Sequence, residues 1–327
     1  MGRKGLVFVE EYLFFSKKHM NHGFGQNVCA IVVTWHIKKS FMATVRAVIH
    51  QVDHVIIVDN GSGPDTIQML KAVQSLYTDK VTVIYNVENK GIGAAQNQGL
   101  GIALRAGYDW VLLLDHDSCP APDMVAALLS AYAAMAGPGG SEPQKNIGLM
   151  APNKKEKQSP KEMKLIMPGR YGFWRTFKNE GVVPGVRSVI ASGSLIKTQV
   201  FRHIGTFNER FFMDYVDVEF CLRMRQNGWI IAAVRGAVLH HSLGSITGET
   251  FMGRGISVSH HDASRRFTMF RNRVIVWKQY FFSQPGYVFF DMGMAVYELV
   301  KICLFEYGPG HKLKSDVKGM MDVAVRS

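Results

Sequence analysis

Short runs of Val, Ile and Leu alternate with longer amphipathic segments through the first half of the chain. The apolar runs are NVCAIVVTW, HVIIVDN, VTVIYN, WVLLLD and IGLMAP, at residues 27–35, 54–60, 81–86, 110–115 and 147–152. Segments of helical character lie between them, at residues 39–51, 64–76, 91–106 and 122–136. Strands that alternate with helices at this spacing predict βαβ units and a mostly parallel sheet. Because the strands are apolar throughout, we expect helices on both faces of that sheet.

Each of the first four predicted strands runs directly into polar or glycine residues. The residues of interest at these ends are Thr34, Asp59, Asn89, Gly91, Asp115 and Asp117. Any one of these segments has the composition of an ordinary turn. Ligands of parallel sheets bind beyond the carboxyl ends of the strands, however, and these polar groups converge there. The pattern therefore predicts a binding site at one edge of the sheet.

The glycine-rich segment GIGAAQNQG (91–99) does not indicate a dinucleotide-binding domain. That fingerprint needs its glycines in the turn after the first strand, where this chain has Thr34, Trp35 and His36. A P-loop is excluded as well, because no GxxxxGK[ST] sequence occurs.

Composition and charge narrow the range of partners. The chain has 327 residues, of which 47% are hydrophobic and 20% charged, so it can bury the core of a large α/β domain. Lys and Arg number 38 against 26 Asp and Glu, and this net charge of +12 favours anionic partners such as nucleotides, phosphorylated lipids or a membrane surface. No nucleic-acid recognition motif accompanies the charge, so we expect no nucleic-acid partner.

Cysteine spacing and the N-terminal residues bear on the compartment. The four cysteines form no CxxC pair, which favours a reducing, cytoplasmic environment over a disulfide framework or a zinc site. Residues 1–26 contain no convincing secretory signal, because Glu10 and Glu11 interrupt the apolar run. We interpret them as an N-terminal extension of unknown role.

The polar strand ends belong to a series of blocks that occur in order along the chain. The blocks are VVTWH, VIIVDNGS, NKGIGAAQNQGL, VLLLDHDS, SGSLIK, FFMDYVDVEFCLR and VLHHSLG. In these blocks the chain resembles the family 2 glycosyltransferases with the GT-A fold, and most of all the bacterial L-rhamnosyltransferases, over about residues 28–282. The aspartate pair alone is a weak signal, whereas the ordered series is specific.

The resemblance implies both a fold and a reaction. The fold is α/β: a GT-A domain with a Rossmann-like, mostly parallel central sheet flanked by helices, and a C-terminal helical extension. The reaction is an inverting, metal-dependent transfer of L-rhamnose from dTDP-L-rhamnose to a hydroxyl of a glycan or lipid-linked glycan, in cell-surface polysaccharide synthesis such as that of O-antigen. The alternatives are a UDP-sugar donor within the same family and a sugar nucleotidyltransferase, which would leave DYVDVEF and HHSLG without a role.

The chemistry of such a transfer explains why a buried strand ends in two acids. The diphosphate gains negative charge as its bond to the sugar breaks, and a divalent cation held by carboxylates stabilises that charge. By resemblance Asp117 is the direct metal ligand, with Asp115 beside it on the ribose or the metal-bound water. The resemblance also assigns His241 to the metal, and an imidazole ligand suits Mn²⁺ better than Mg²⁺. The competing interpretation is a structural turn.

The segment 209–228 carries the acids expected to act on the acceptor. An inverting transfer needs one base that removes the proton of the attacking hydroxyl. By resemblance this base is Asp217, although Val216 stands where the family more often has a glutamate. Asp214 is then a helper or an acceptor contact. We expect Glu219 to serve as a helix cap or an ion-pair partner.

The resemblance assigns the donor pocket to residues from several segments. Asp59 would read the pyrimidine base, and Thr34 would lie beside the base or the ribose. Asn89, Gly91 and Asn97 would flank the ribose and diphosphate, with the glycine allowing close approach of the backbone. The segment Ser192, Gly193 and Ser194 either lines the sugar pocket or forms a tight turn.

The remaining chain carries three open interpretations. Residues 153–187 form either a lid over the site or a surface excursion. Arg271, Asn272 and Arg273 either meet phosphate or cover a solvated helix face. The apolar segment 287–308 has its charges on one stripe, which favours a helix lying in a membrane surface, followed by basic residues. A contact between copies of the chain, giving a homo-oligomer through the C-terminal helices, is the competing interpretation.

We therefore divide the chain into four parts. Residues 1–26 are the extension, 27–152 the nucleotide-binding half of a GT-A domain that spans 27–260, and 188–260 its acceptor half. Residues 261–327 are a C-terminal amphipathic helical region. The expected location is the cytoplasm, at the inner face of the cytoplasmic membrane.

Overall fold

The fold is described by a computed structural model. It describes residues 27–136, 146–156, 165–167, 173–175, 177, 181–241, 246–251, 254–259, 262–305 and 309–325. The extension at residues 1–26 and about half of the segment proposed as a lid lie outside the described residues.

The first half of the chain builds parallel strands with helices between them, as predicted. The strands are β1 Val28–Thr34, β2 His54–Asp59, β3 Val81–Tyr85 and β4 Trp110–Asp115, and the helices are α1 Phe41–Val48, α2 Pro64–Leu76 and α3 Ile92–Ala106. The strands lie in the order β3-β2-β1-β4, and every neighbouring pair is parallel. Their carboxyl ends therefore meet at one edge, which we call the carboxyl edge.

The second half of the chain extends the same sheet. Its elements are β5 Cys119–Pro120, α4 Met124–Ala136, β6 Ile147–Glu156, β7 Leu165–Met167, β8 Phe173–Arg175, β9 Val182–Pro184, β10 Leu195–Lys197, α5 Thr198–Ile204, α6 Val216–Gln226 and β11 Ile230–His241. The sheet continues β4-β10-β6-β11-β5, with β6 and β11 parallel and the short strands β10 and β5 antiparallel to their neighbours. The mostly parallel central sheet is thus confirmed.

Alternate residues of the central strands feed two separate cores. In β1, Cys29, Ile31 and Val33 pack into one hydrophobic cluster. Val28, Ala30 and Val32 pack into the other. Side chains of a strand point alternately to opposite faces, so both faces of the sheet are covered, as the continuous apolar runs predict.

Strand β6 is longer than the apolar pattern predicts. The run IGLMAP ends at residue 152, but the strand continues to Glu156, and Asn153 is buried. It continues because β11 pairs with it in parallel along its whole length, with Leu239 opposite Lys154. The lysine-rich segment that follows the apolar run therefore begins inside the sheet rather than in a surface loop.

Two hairpin strands and three long helices complete the described chain. These are β12 Ile246–Phe251, β13 Arg254–Ser259, α7 Ala263–Tyr280, α8 Pro285–Phe305 and α9 Pro309–Val325. Asp262 caps α7 by accepting a hydrogen bond from the Arg265 N–H at 2.7 Å.

Arg273 of α7 points inward, which corrects both interpretations of this residue. Arg273 is buried and pairs with Asp291 at 3.2 Å and with Glu298 at 3.0 Å. Its guanidinium therefore neither meets solvent nor is open to a phosphate. The acidic residues of the charged stripe of α8 face α7, and the opposite face of α8 is exposed and apolar. That exposed face carries Phe289, Val296, Tyr297, Val300 and Leu304.

Candidate active site

Asp59 lies at the carboxyl end of β2 and is only 1% exposed. Its Oδ1 accepts hydrogen bonds from the Thr34 hydroxyl at 3.1 Å and the Ser62 hydroxyl at 2.6 Å, and its Oδ2 accepts from the Ser62 N–H at 3.0 Å. A carboxylate offers about four acceptor positions, so one more donor can be accommodated. Thr34 thus contributes to the site mainly by orienting the Asp59 carboxylate.

Two exposed aromatic side chains flank Asp59. Tyr85 ends β3, in register with Asp59, and is 39% exposed. Trp35 follows β1 on the other side and is 48% exposed. Large aromatic surfaces left open beside a buried acceptor suit a flat heterocycle that stacks and donates one hydrogen bond. The sequence analysis overlooked Tyr85, because it reads as the last residue of an ordinary strand.

A network of amides around the buried Asn60 shapes the loop after β3. Asn60 donates to Asn89 Oδ1 at 2.8 Å and to the Gly91 carbonyl at 3.2 Å, and it accepts from Asn86 Nδ2 at 3.1 Å and the Lys90 N–H at 3.0 Å. The Asn89 side chain is therefore part of the loop's own framework. Buried amides held by several bonds specify one conformation of the backbone.

A contact within the protein explains why glycine occupies position 91. Its φ of +85° favours glycine, and a Cβ there would lie 2.6 Å from the Phe212 carbonyl oxygen. The Ile92 N–H donates to that same oxygen at 2.8 Å. The close approach expected at this glycine is thus to the segment before α6, which joins the donor side of the site to the acceptor side.

Asn97 fastens the same two segments together. Its Nδ2 donates to the Phe207 carbonyl at 2.9 Å and to Glu209 at 2.8 Å, and its Oδ1 accepts from the Phe207 N–H at 2.9 Å. The side chain is engaged by the 207–209 segment, so its place in the structure is that of a brace between α3 and the acceptor side.

The turn after β4 projects its acids from the carboxyl edge. Asp115 is half-buried and Asp117 is exposed. The Ser192 hydroxyl accepts from the Asp115 N–H at 3.0 Å and donates to the Ser118 hydroxyl at 2.9 Å, and both serines are fully buried. Ser192 thus fixes the backbone on both sides of Asp117.

The Ser192–Ser194 segment itself is a tight turn. Gly193 has a φ of +82°, and a Cβ there would lie 2.6 Å from Pro152. The Ser194 hydroxyl donates to the Ile190 carbonyl at 3.0 Å and is fully buried. Of the two interpretations of this segment, these contacts support the turn.

The backbone brings His241 towards Asp117. Strand β5 pairs antiparallel with β11, with His240 opposite Cys119 and Leu239 opposite Pro120. Asp117 precedes Cys119 by two residues, and His241 follows His240. The two expected ligands therefore lie at the same edge of the sheet, with Asp117 in the turn before β5 and His241 at the end of the neighbouring strand β11, rather than on opposite sides of the molecule.

The donor set at this edge fits a divalent cation. Carboxylate oxygens with one imidazole suit Mn²⁺. Among the described residues, no three His, Cys, Asp or Glu side chains are gathered as a metal site. The side chain of His241 lies outside the described residues, so its role as a ligand stays a prediction.

Asp217 lies in the first turn of α6, across the carboxyl edge. Its carboxylate accepts from the Val218 N–H at 2.8 Å and from the Ala191 N–H at 3.2 Å. Burial raises the pKa of this carboxyl above its ordinary value, although both N–H groups and the Lys154 ammonium oppose the rise. A carboxylate with a raised pKa is a better proton acceptor, as a general base requires.

Asp214 is held in a different way, by an ion pair at the surface. Arg265 binds both of its oxygens, at 2.9 and 3.1 Å. Asp214 and Tyr215 have φ values of +60° and +65°, which non-glycine residues adopt only when their surroundings hold them there. Asn272 supplies the restraint by donating to the Asp214 carbonyl at 3.0 Å.

The C-terminal helices therefore support the turn before α6. The Tyr215 hydroxyl donates to Asp291 of α8 at 3.0 Å, and Asn272 of α7 is fully buried under the turn. Glu219 forms the expected ion pair, with Arg223 at 2.9 Å. Arg271 donates to the Arg210 carbonyl at 3.1 Å, so each member of the block at 271–273 contacts the segment before α6.

The sequence analysis missed Lys154. This residue lies on β6, and its Nζ donates to the Ile190 carbonyl at 3.2 Å. Burial lowers the pKa of its ammonium to about 8, although the charges of Asp115 and Asp217 oppose that shift. In the sequence it is one lysine of a lysine-rich stretch, and only the continuation of β6 distinguishes it.

Comparison with known proteins agrees with this geometry. The model of the Glycosyl transferase family 2 matches residues 29–201. The dTDP-rhamnosyl transferase RfbF of Shigella flexneri is 26% identical over 260 residues, which are 77% of this chain and 80% of the relative. The galactofuranosyltransferase GlfT1 of Mycolicibacterium smegmatis is 28% identical over 278 residues, 79% of this chain and 84% of the relative.

A solved structure shares the fold. The mannosyltransferase PcManGT from Pyrobaculum calidifontis, in complex with GDP-Man and Mn²⁺, superposes with a TM-score of 0.54 at 14% identity. The match covers 98% of this chain and 83% of that protein. This likeness confirms the GT-A fold.

Proposed function

Because the chain belongs to glycosyl transferase family 2, we propose that it transfers L-rhamnose from dTDP-L-rhamnose, with inversion, to a hydroxyl of a glycan or lipid-linked glycan. The observation that carries the proposal is the geometry of the carboxyl edge. There the turn with Asp115 and Asp117 lies beside the β5–β11 pair that leads into His241. A carboxyl group of raised pKa, Asp217, lies across the same edge.

Asp117 and His241 would hold a divalent cation, with Asp115 beside them. When bound, such an ion stabilises the negative charge of the departing diphosphate. The chain's own contribution is to fix the turn: the Ser192 hydroxyl bonds the Asp115 N–H and the Ser118 hydroxyl, so the carboxylates keep their places.

Asp217 would take the proton of the acceptor hydroxyl. As that oxygen bonds to the anomeric carbon, the bond from the carbon to the diphosphate oxygen breaks on the opposite side, and dTDP leaves. The acceptor's proton ends on the Asp217 carboxylate. The two backbone N–H groups on this carboxylate hold it in one orientation during the transfer.

Asp59, between Trp35 and Tyr85, would bind the pyrimidine base. The remaining acceptor position of its carboxylate matches the single N3–H of thymine or uracil. Both bases offer that group, and the relatives include a dTDP-rhamnosyl transferase and a galactofuranosyltransferase. A UDP-sugar donor is therefore the alternative within this function.

Thermal shift and nucleotide release together test the proposal. We expect dTDP with Mn²⁺ to stabilise the protein more than either alone. At a hundred times its Kd the bound nucleotide should add about 2.7 kcal/mol to the free energy of unfolding of the ligand-free protein. Asp117→Asn should lose the Mn²⁺-dependent increment and the nearby exposed Asp123→Asn should keep it. Nucleotide release from a panel of nucleotide sugars tests the donor. The enzyme should release dTDP from dTDP-L-rhamnose. Release from UDP-sugars alone would replace the donor, and no release from any of them would defeat the function.

We also propose that the protein works at the inner face of the cytoplasmic membrane, where a lipid-linked acceptor would lie. The exposed face of α8 continues into Phe281 and Phe282, the latter 92% exposed. Phe281 makes edge-on ring contacts with Phe282 and Phe289. No helix in the described part of the chain has the length and apolar content needed to cross a bilayer. An apolar helix face beside basic residues suits binding within the interface of an anionic bilayer.

Flotation with anionic liposomes at low salt tests this location. Wild-type protein should float, and the combined variant Phe282→Ser, Phe289→Ser and Val300→Ser should remain at the bottom. Leu76→Ser removes an apolar side chain that is 61% exposed on α2 and should not matter. If the wild type stays at the bottom and elutes as a dimer that the combined variant disrupts, the face is an interface between copies instead.

A further inference from the structure

One peptide group links Lys154 to Asp217. The carbonyl oxygen of Ile190 accepts from Lys154 Nζ at 3.2 Å, and the N–H of Ala191 donates to Asp217 Oδ2 at 3.2 Å. This carbonyl and this N–H belong to the same planar unit and point in opposite directions. The negative end of the peptide dipole therefore faces the ammonium, and its positive end faces the carboxylate.

The ammonium also acts on two carboxylates through space. Lys154 is attracted to Asp115 at the end of β4 and to Asp217 at the start of α6. These are the acids expected on the donor side and on the acceptor side of the transfer. Two carboxylates at one site oppose each other's ionisation, and a cation near them offsets that repulsion.

We propose that Lys154 is a positioning residue for Asp217, which holds the carboxylate ionised and in place through the Ile190–Ala191 peptide group and through its own charge. This inference rests on the proposed function, since it assigns a partner to the acceptor-side base. Lys154 acts through Asp217 and is not assigned a contact with the substrate.

The other groups near Asp217 do not supply this charge. Asp214 is an anion and raises the pKa of Asp217. Cys221 on α6 is buried, which raises the pKa of its thiol to about 12, and burial also holds the pKa of Tyr287 on α8 well above its usual value. Both are neutral at physiological pH. Among the described residues, the ammonium of Lys154 lowers the pKa of this carboxyl.

The test compares three variants in nucleotide-release assays across pH. Lys154→Gln keeps a hydrogen-bond donor and loses the charge, Lys154→Arg keeps the charge, and Lys155→Gln changes the exposed neighbour on the opposite face of β6. In Lys154→Gln we expect kcat at neutral pH to fall about tenfold or more. We expect KM for the donor to change by less than about threefold.

The pH profile separates this role from a merely structural one. Removing the cation raises the pKa of Asp217 further, so the acidic limb of kcat should move to higher pH in Lys154→Gln. Lys154→Arg should restore the position of that limb, and Lys155→Gln should match the wild type.

The inference is overturned if the acidic limb of Lys154→Gln coincides with that of the wild type. If the donor KM is greatly raised as well, Lys154 is a donor contact instead. An inactive wild-type enzyme with every nucleotide sugar would instead defeat the proposed function, so the two failures are distinguishable. If Lys154→Gln does not fold, Lys154→Arg provides the test. Its guanidinium stays charged at alkaline pH, so the acidic limb of kcat must coincide with that of the wild type.

Discussion

The loop after β3 and the Lys154–Asp217 pair are built on different principles. In the loop, Asn60 and Asn89 are neutral groups that bond mainly to each other and to the backbone. Lys154 and Asp217 are half-buried charged groups, and burial shifts the pKa of each towards its neutral form. A network whose hydrogen bonds are all made holds the backbone in one conformation. A charged group whose pKa is shifted towards its neutral form can exchange a proton more readily near neutral pH.

Within the acceptor side, two aspartates three residues apart show the same contrast. Asp214 is tied to Arg265 near the surface, and its pair has side-chain exposures of 18% and 41%. Asp217 is held by two backbone N–H groups, with Lys154 near it. Burial raises the pKa of Asp217 and so strengthens it as a base. The two aspartates therefore differ in what holds them, an ion pair for Asp214 and two backbone N–H groups for Asp217.

The largest effect should follow from Asp217→Asn. We expect turnover to fall by about 10²–10⁴, because the base is lost, while the affinity for dTDP measured by calorimetry stays nearly unchanged. Near-normal turnover would move the role elsewhere, with Asp214 the next candidate.

The same variant should cost little stability. The pKa of Asp217 is raised in the folded protein, so its contribution to stability is complete below its unfolded pKa and is lost as pH rises through the folded pKa. At neutral pH the buried ionised carboxylate therefore lowers the stability of the fold. Asparagine removes that charge, but its amide can accept from only one of the two backbone N–H groups. We expect the free energy of unfolding to change by no more than about 1 kcal/mol.

Asn60→Ala should show the opposite balance. It leaves buried partners in the loop after β3 without their bonds, so we expect the free energy of unfolding to fall by about 2–4 kcal/mol. Donor affinity should weaken, because the loop loses its fixed shape. Thermal unfolding checks this, with the exposed Asn227→Ala as a matched control that should lose less than about 1 kcal/mol. Equal effects of the two variants would contradict the saturated network.

Asp214→Asn should have the smallest effect. A partly exposed ion pair contributes at most about 1 kcal/mol to stability. Because Asp214 is not the proposed base, we expect turnover to fall no more than about tenfold. The Asp214 charge raises the pKa of Asp217, so its removal should move the acidic limb of kcat to lower pH. That direction is opposite to the one expected for Lys154→Gln. A shift in the same direction for both would mean that charge does not control Asp217.

Much of the fold could be predicted from the sequence because its signals are local. Strands β1 to β4 and helices α1 to α3 follow from apolar runs and their spacing, and the position of each polar strand end follows from the parallel arrangement. The Asp262 cap and the Glu219–Arg223 pair are likewise local, since their partners lie three and four residues away.

Contacts between distant segments decided the rest. Gly91 meets Phe212, Asn97 holds Phe207, and the Ile190–Ala191 peptide joins Lys154 to Asp217. The local sequence does not predict any of these partners, because the fold decides which donors and acceptors lie close to a side chain.

The sequence by itself determined a parallel α/β sheet, the edge at which its polar residues gather and the family to which the chain belongs. Only the tertiary structure decided which charges turn inward. Arg273 faces Asp291 and Glu298, the apolar face of α8 is left outside, and Lys154 lies in the site rather than in a loop. The reason is physical: the period of a helix or strand fixes which residues share a face, but only the packing partner fixes which face is buried.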